Sequence, residues 1–507
     1  MVKKLFIIFL LALPLLLIAE TPTELIELVT DDIETAAWDS LYLELLSSKA
    51  TLKLDNRVYL EEDANRSLHS LLYKRPGQTL LLNYKRDWDD NKDRVNIQAE
   101  ITSKNLIRQA VFGHYRLRFG RGLAIGNGQR GFPDEVFTLG KPAGPDTYVP
   151  FGAAARLRWT RFHLLGFGSV LNRNANLSGD LITSLPSATS EASGSVLESL
   201  FGAAVSYETK PLRLGALYYR QIYDHDFASP ERASDLTIRS LYGAVRIPEH
   251  KLDAEATFAT HSSQEYFAWE YSHAGFLQSV SFTSNPDFKQ VSYSTPAAIL
   301  SRDTHTNEIA WDASFPLRKY LSMRLRYALN YNERQSFSTH NIRSRFAAIL
   351  DYKTKTNFGS LSVYNFDREI LVPGDNSYSV TLPRNWRTEL RFGQTVFPGL
   401  DYKFQFRYHV EDKNGFDQNS FFFANSFSYR YRDFTLGASY KSWKNFRQYI
   451  YYEDDTLEAY NTSQRDDSVL DLSAGMKLWH LNTGLSYRVS LTGDNPQRLI
   501  LRLGMAI

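Results

Sequence analysis

The 507-residue chain contains no cysteine. That excludes disulfides, thiolate metal sites, a cysteine nucleophile and a lipoprotein anchor cysteine. Neither charge is in excess: 58 Lys and Arg stand against 56 Asp and Glu, a formal net charge of +2. So balanced a chain is not expected to be a general nucleic-acid binder. Beyond residues 5–19 no apolar run reaches the ~20 residues that a membrane-crossing helix needs, and the mean hydropathy is −0.35. The usual catalytic signatures are missing too: there is no His-Glu-x-x-His, no Gly-x-Ser-x-Gly and no Gly-Lys-Ser/Thr to complete a phosphate loop. No catalytic residue, cofactor or metal ligand is therefore expected, and the chain is not read as an enzyme. What is present in quantity is aromatic: 14% of residues, with 30 Tyr and 32 Phe, within a hydrophobic content of 43%. That content argues against disorder. Many aromatics without net hydrophobicity suit surfaces on which apolar and polar residues alternate.

The chain begins with Lys3 and Lys4 ahead of an apolar run over residues 5–19. A basic start and an apolar stretch of this length predict a secretory signal peptide over residues 1–19, with Ala19 a small residue at the cut. The competing reading, a membrane anchor, is disfavoured by the length and by Pro14. Residues 20–48 carry Leu25, Ile26, Leu28, Val29, Ile33, Ala36, Ala37, Leu41 and Leu45 mostly three or four apart, with acidic residues between them. This is an amphipathic helix pattern, and Thr21 with Glu24 fits a capping box. Such a periplasmic helix packs on itself or on the end of the next domain, or binds a periplasmic protein through residues 21–48.

From about Lys49 the period changes to two. Tyr402, Phe404, Phe406, Tyr408 and Val410 alternate with Lys403, Gln405, Arg407 and His409; similar runs begin at Leu321, Leu481 and Arg498. Runs of about 9–11 residues, apolar on one face and polar on the other, have the length of a tilted transmembrane strand. A soluble sandwich also alternates, but its strands are shorter. Phe427, Tyr429 and Tyr431 sit at a strand end, as interfacial girdle residues do. The fold class read from this pattern is all-β: a large antiparallel transmembrane barrel over residues 49–507. About 20–26 strands are expected, 24 the best figure. Short turns are predicted at Lys210–Pro211, Pro248–His250, Pro398–Gly399, Arg432–Asp433 and Trp479–His480. Long polar loops are predicted at residues 172–193, 224–235, 285–303, 411–419 and 454–468. The expected partner is outer-membrane lipid; the pattern leaves oligomeric state open.

The most specific local signal is a glycine-rich segment at residues 113–126, Gly-His-Tyr-Arg-Leu-Arg-Phe-Gly-Arg-Gly-Leu-Ala-Ile-Gly. Val111, Tyr115, Leu117 and Phe119 share one face; Arg116 and Arg118 share the other. A loop as long as residues 120–151 is usually functional or folded in. Either it is an external loop, or it enters the lumen as a constriction or partial plug formed by Gly120, Arg121, Gly122, Gly126, Gly128, Arg130 and Gly131. The segment resembles a motif of large outer-membrane barrel proteins that carry an N-terminal helix-hairpin-helix segment. The matching residues are Gly113, Tyr115, Leu117, Phe119, Gly120, Gly122 and Leu123, followed by Phe151, Gly152, Ala153 and Ala154. The acidic leading helix and the strands at residues 79–86 and 95–102 extend the match over the first third of the chain. The resemblance implies a large outer-membrane barrel. The helix-hairpin-helix units of those proteins, a DNA-backbone-binding module, have no counterpart here, since the chain passes from Leu46 almost directly to a strand at Thr51.

Arg116, Arg118, Arg324, Arg326, Arg407, Arg430, Arg488 and Arg502 fall on polar faces and are candidate lumen-lining residues. Inside a barrel they require carboxylate or water partners, and an unbalanced set favours anions. The overall charge balance points instead to paired networks. Asp87, Asp89, Asn91 and Asp93 alternate like a calcium loop, but Lys92 and Gln98 occupy the positions that need Gly and Glu, which leaves a solvated turn. Asp224, His225 and Asp226 read as an exposed loop. The functional expectation is passive or gated passage of a solute through the lumen. The alternative is a plugged barrel that docks a periplasmic partner.

Overall fold

The computed structural model describes residues 51–506, apart from 62–64, 89–91, 127–132, 143–147, 186–191, 230–232, 260–261, 286–305, 334–339, 369, 374–377, 382–384, 414–415, 447–450, 454–455, 459–464 and 493–496. The expected signal peptide (residues 1–19), the expected helix over residues 20–48, and Gly128, Arg130 and Gly131 lie outside the described residues.

The period-two runs form a closed antiparallel barrel of 24 strands. Each strand pairs with the next in the wall. The last, Arg498–Ala506, pairs with the first, Thr51–Glu61, through a register that sets Arg57 opposite Arg502. Closure leaves no unpaired sheet edge, which is what the bilayer interior demands of a β structure. Alternation then decides the two surfaces. Leu164, Val170, Phe201, Leu214, Leu241, Leu390, Leu485 and Leu501 are exposed on the outside. Glu198, Asp253, Glu255, Glu389 and Arg407 are buried on the inside. Left in water, that contiguous outer apolar surface would be an aggregation liability; against acyl chains it is the expected finish of a membrane barrel.

One end of the barrel carries only short connections. The predicted turns at Lys210–Pro211, Pro398–Gly399, Arg432–Asp433 and Trp479–His480 are present as breaks between paired strands, and the one predicted at Pro248–His250 is a break over residues 248–249, His250 starting the next strand. Thr160, Glu249, Ala274, Arg432 and Trp479 hold positive φ of 48–68° in these turns, the sense that tight hairpins between twisted strands require. Trp159, Phe162, Tyr320, Phe397, Tyr431, Phe434 and Trp479 stand exposed around the same end, an aromatic girdle at one membrane interface.

At the other end the strands reach farther than alternation alone suggests. Strand Phe162–Ser178 continues through the segment read as a loop from residue 172, and a small hairpin strand, Leu181–Ser184, follows it. Asp226–Phe227, inside another predicted loop, pairs in parallel with Leu181 and Ile182. Residues 411–419 are almost all strand, because Leu400–Lys413 and Phe416–Tyr431 remain paired out to Lys413 and Phe416. Polar composition marks these extensions as loops in sequence, but beyond the hydrocarbon layer a strand is no longer held to apolar alternation, and backbone pairing continues.

Candidate functional site: the lumenal insert

The wall is interrupted where the glycine-rich segment begins. Strand Ile107–His114 ends early, and the wall resumes with Phe151–Trp159, which pairs directly with it through Gly113 and Gly152. Val111, Tyr115, Leu117 and Phe119 are all buried, as their shared face predicts. They do not, however, lie on one strand. The chain leaves the wall after His114, and Arg116–Phe119 forms a separate antiparallel pair with Phe137–Gly140. The Tyr115 N–H donates to the Pro150 carbonyl at 3.0 Å. The described residues between these two belong to an insert closed at its base.

The insert packs inside the barrel. Tyr115, Leu117, Phe119, Ala124, Ile125, Val136, Phe137 and Leu139 form one buried cluster with wall residues that include Leu165, Leu200, Leu217, Tyr219, Leu236 and Ile238. These wall residues alternate with exposed outer ones such as Phe201, Leu214 and Leu241. Over this sector the strands are therefore apolar on both faces: one meets lipid and the other meets the insert. The expectation that the inner face is polar throughout is corrected here. Each large apolar side chain buried in this way contributes roughly 1.5–3 kcal/mol. Gly215 on the inner wall is required by the fit, since a Cβ there would stand 2.4 Å from Val136 Cγ1 and 3.2 Å from the Phe119 ring.

Polar anchors fix the insert along the depth of the barrel. Near the long-loop end the Asn174 N–H donates to the Tyr148 hydroxyl at 2.8 Å, and the Arg173 guanidinium lies 5.2 Å from the Tyr148 ring centre. Farther down, the carbonyls of Gly140 and Leu139 accept from Gln98 and Gln109 at 3.0 and 3.3 Å. Near the short turns the Pro133 carbonyl accepts from Arg246 at 2.9 Å and also from Arg213. There Arg156 donates twice to Glu135, at 2.8 and 3.0 Å. Burial raises the Glu135 carboxyl, but the hydrogen bond and charge of Arg156 outweigh it and hold the group below the ordinary glutamate range.

The tightest anchor is the turn after Phe119. Gly120 takes φ 51°, and a Cβ there would lie 2.6 Å from a Glu255 carboxylate oxygen and 2.9 Å from the Tyr242 ring. Its N–H donates to the Val136 carbonyl at 2.7 Å. Arg121, only 1% exposed, places Nη2 2.8 Å from Asp253 Oδ1, and its Nε donates to Oδ2. Its guanidinium lies 4.9 Å from the Tyr266 ring centre. Glu255 accepts the Arg121 backbone N–H as well as those of Leu123 and Ala124, and the Ser240 hydroxyl at 3.1 Å. The Tyr219 hydroxyl donates to the Ala124 carbonyl at 2.7 Å. A bidentate guanidinium pair and a carboxylate capping several turn amides make a rigid attachment in a sheltered place.

The sequence-predicted residues divide by place. Gly120, Arg121 and Gly122 are buried at the anchor, and Gly126 lies at its edge with φ 109°. Arg116 and Arg118 belong to the insert rather than to the wall, Arg116 exposed and Arg118 half-buried. Arg324, Arg326, Arg407 and Arg488 are on wall strands. Arg326 pairs with Asp312 at 2.6 Å, Arg407 with Glu389 at 3.2 Å and Arg488 with Asp471 at 2.6 Å. Asp253, Glu255, Glu135 and Tyr219 carry the attachment without having been singled out by sequence. One signal was available: strands Gly194–Glu208 and Leu212–Tyr223 carry Val196, Leu200, Ala204, Leu217 and Tyr219 on the face opposite their lipid-facing apolar residues, which a lumen filled only with water does not favour. His225 is half-buried beside exposed Asp224, 2.8 Å away, and no metal-ligating cluster occurs among the described residues.

Comparison with known proteins is informative only at the level of fold. No family model matches the chain, and no curated sequence does. Among solved structures, a variant of the ferric enterobactin receptor PfeA from Pseudomonas aeruginosa superposes with a TM-score of 0.50 at 10% identity, over 90% of this chain and 80% of that one. A second PfeA variant, in complex with enterobactin, gives 0.50 and 10% over 90% and 81%. The likeness is to the architecture of a large bacterial outer-membrane β-barrel.

Proposed function

We propose that this outer-membrane barrel passes a solute through its lumen and that the insert over residues 116–149 is the constriction that limits passage. The observation that carries this reading is the insert's position: one connection of the wall is folded inside, from the long-loop end to the short-turn end, and shares a core with the inner wall. A barrel of this strand number is wide, and a strand connection spent on filling it narrows whatever crosses. The solved structures of similar fold include a ferric enterobactin receptor, which agrees with a transporter-like role. The alternative, a permanently plugged barrel docking a periplasmic protein, draws support from the density of the anchor at Arg121 and Glu255.

The test is solute entry into liposomes carrying the purified protein, with neutral sugars of increasing size. Passage predicts swelling with the smallest sugars and a sharp size limit, moved upward when the insert is shortened. Liposomes that stay tight in both forms would refute passage and favour the docking role.

A further inference from the structure

Outside the insert's footprint the inner wall repeats one motif. A carboxylate is clamped by two or more basic side chains. At the seam where the barrel closes, Asp55 is held by Arg57 at 2.8 Å and by Arg502 at 2.9 Å. Three strands from Asp55, Asp471 is held by Arg488 at 2.6 Å and by Lys441 at 3.2 Å. Farther round, Glu389 is met by Arg407 at 3.2 Å, Arg387 at 3.6 Å and also Arg391. The first two clamps lie on five consecutive wall strands, from Phe434–Phe446 through the seam to Thr51–Glu61. Between them the register sets Arg488 beside Arg498, and Arg498 stacks 5.1 Å from the Tyr59 ring centre.

One cation is enough to balance a carboxylate. In each of the two clamps the second is surplus and accessible: Arg488 and Arg502 keep 42% and 53% of their side-chain surface. Among the described residues, the insert's hydrogen bonds, ion pairs and apolar packing fall instead on strands from Lys92–Thr102 to Ser262–His273. These cations therefore face the open side of the lumen. Guanidinium groups offer paired donors that match the oxygens of carboxylates and phosphates, and rings of such side chains favour anions in pores.

We propose that the wall patch carrying Lys441, Arg488, Arg502 and Arg57 is an anion-binding surface, and that the solute drawn into this lumen carries carboxylate or phosphate groups. The inference names the substrate class of the passage proposed above and rests on that reading, but the surface itself can be tested without any flow. The probe is inorganic pyrophosphate, titrated calorimetrically into the full-length protein in detergent, with sucrose as a neutral control. The variant is Arg488→Gln with Arg502→Gln. It leaves Asp471 with Lys441 and Asp55 with Arg57, so neither carboxylate is stranded. Arg220→Gln removes the same kind of charge from a fully exposed pair with Asp235 on the outer face. The wild type binds pyrophosphate in a salt-sensitive way, the double variant binds it at least about tenfold more weakly, and Arg220→Gln leaves it unchanged. Absence of pyrophosphate binding by the wild type overturns the proposal, as does equal binding by the double variant or an equal loss in Arg220→Gln. The reversal potential across a KCl gradient separates the two readings. Pyrophosphate binding in a protein that conducts nothing refutes passage and leaves the anion surface standing. Conductance that prefers cations refutes the anion surface and leaves passage standing.

Discussion

Replacing Arg121 by alanine tests the anchor that holds the insert. The Asp253 side chain has no exposed surface, and the Arg121 side chain keeps 2% of its own. Removing the guanidinium strands a sheltered carboxylate, a change that costs roughly 3–5 kcal/mol. Most of the wall is untouched, so the loss falls on docking of the insert. The ratio of docked to released insert then drops between about a hundred- and several thousand-fold. Because the chain has no cysteine, Ala124→Cys supplies a single reporter at a position with no exposed surface. Its rate of reaction with a maleimide measures release. Arg121→Ala speeds that reaction strongly. Arg121→Met with Asp253→Leu restores slow labelling, since an apolar pair of similar volume is neutral or better than a buried ion pair. Labelling of Arg121→Ala at the parent rate would refute the reasoning, as would a double variant as fast as the single.

Three further outcomes are expected. Gly215→Val drives a side chain into Val136 and Phe119, costs roughly 1–3 kcal/mol of docking, and accelerates labelling of the same reporter. The Glu135 carboxyl is depressed in the folded protein, so its contribution is present above the ordinary glutamate range and fades as pH falls through the depressed value; acid raises conductance, and Glu135→Gln removes that component of the response. Ala274→Gly relieves a turn residue held at φ 48°, where a left-handed non-glycine residue costs roughly 1–2 kcal/mol, and raises the melting temperature in detergent.

The barrel was legible because a membrane wall imposes a strict rule on sequence. Tyr402, Phe404 and Phe406 alternate with polar neighbours because lipid faces one side of that strand. The short turns were legible for a related reason: Pro398–Gly399 and Trp479–His480 break runs that otherwise alternate without pause. The strand extensions near residues 172–178 and 411–413 were not, because beyond the lipid a strand is no longer held to apolar alternation while backbone pairing continues. The insert was half legible. Its glycines and its length marked residues 120–151 as unusual, and the face shared by Leu117 and Phe119 marked it as buried. What covers that face depends on residues up to about 130 positions away, such as Asp253 and Glu255 opposite Arg121. No local pattern encodes so distant a pairing. The arginines were read as balanced because whole-chain charge is balanced; their arrangement around Asp55, Asp471 and Glu389 is a property of strand register.

The most direct test of the account is single-channel conductance in planar bilayers of the intact chain and of a chain in which residues 116–149 are replaced by a short glycine-serine link. The Tyr115 N–H already meets the Pro150 carbonyl, so the wall can close without the insert. The intact protein is expected to show a small conductance and the shortened chain a several-fold larger one. Equal conductances in two correctly folded proteins would mean that the insert does not set the width of the lumen.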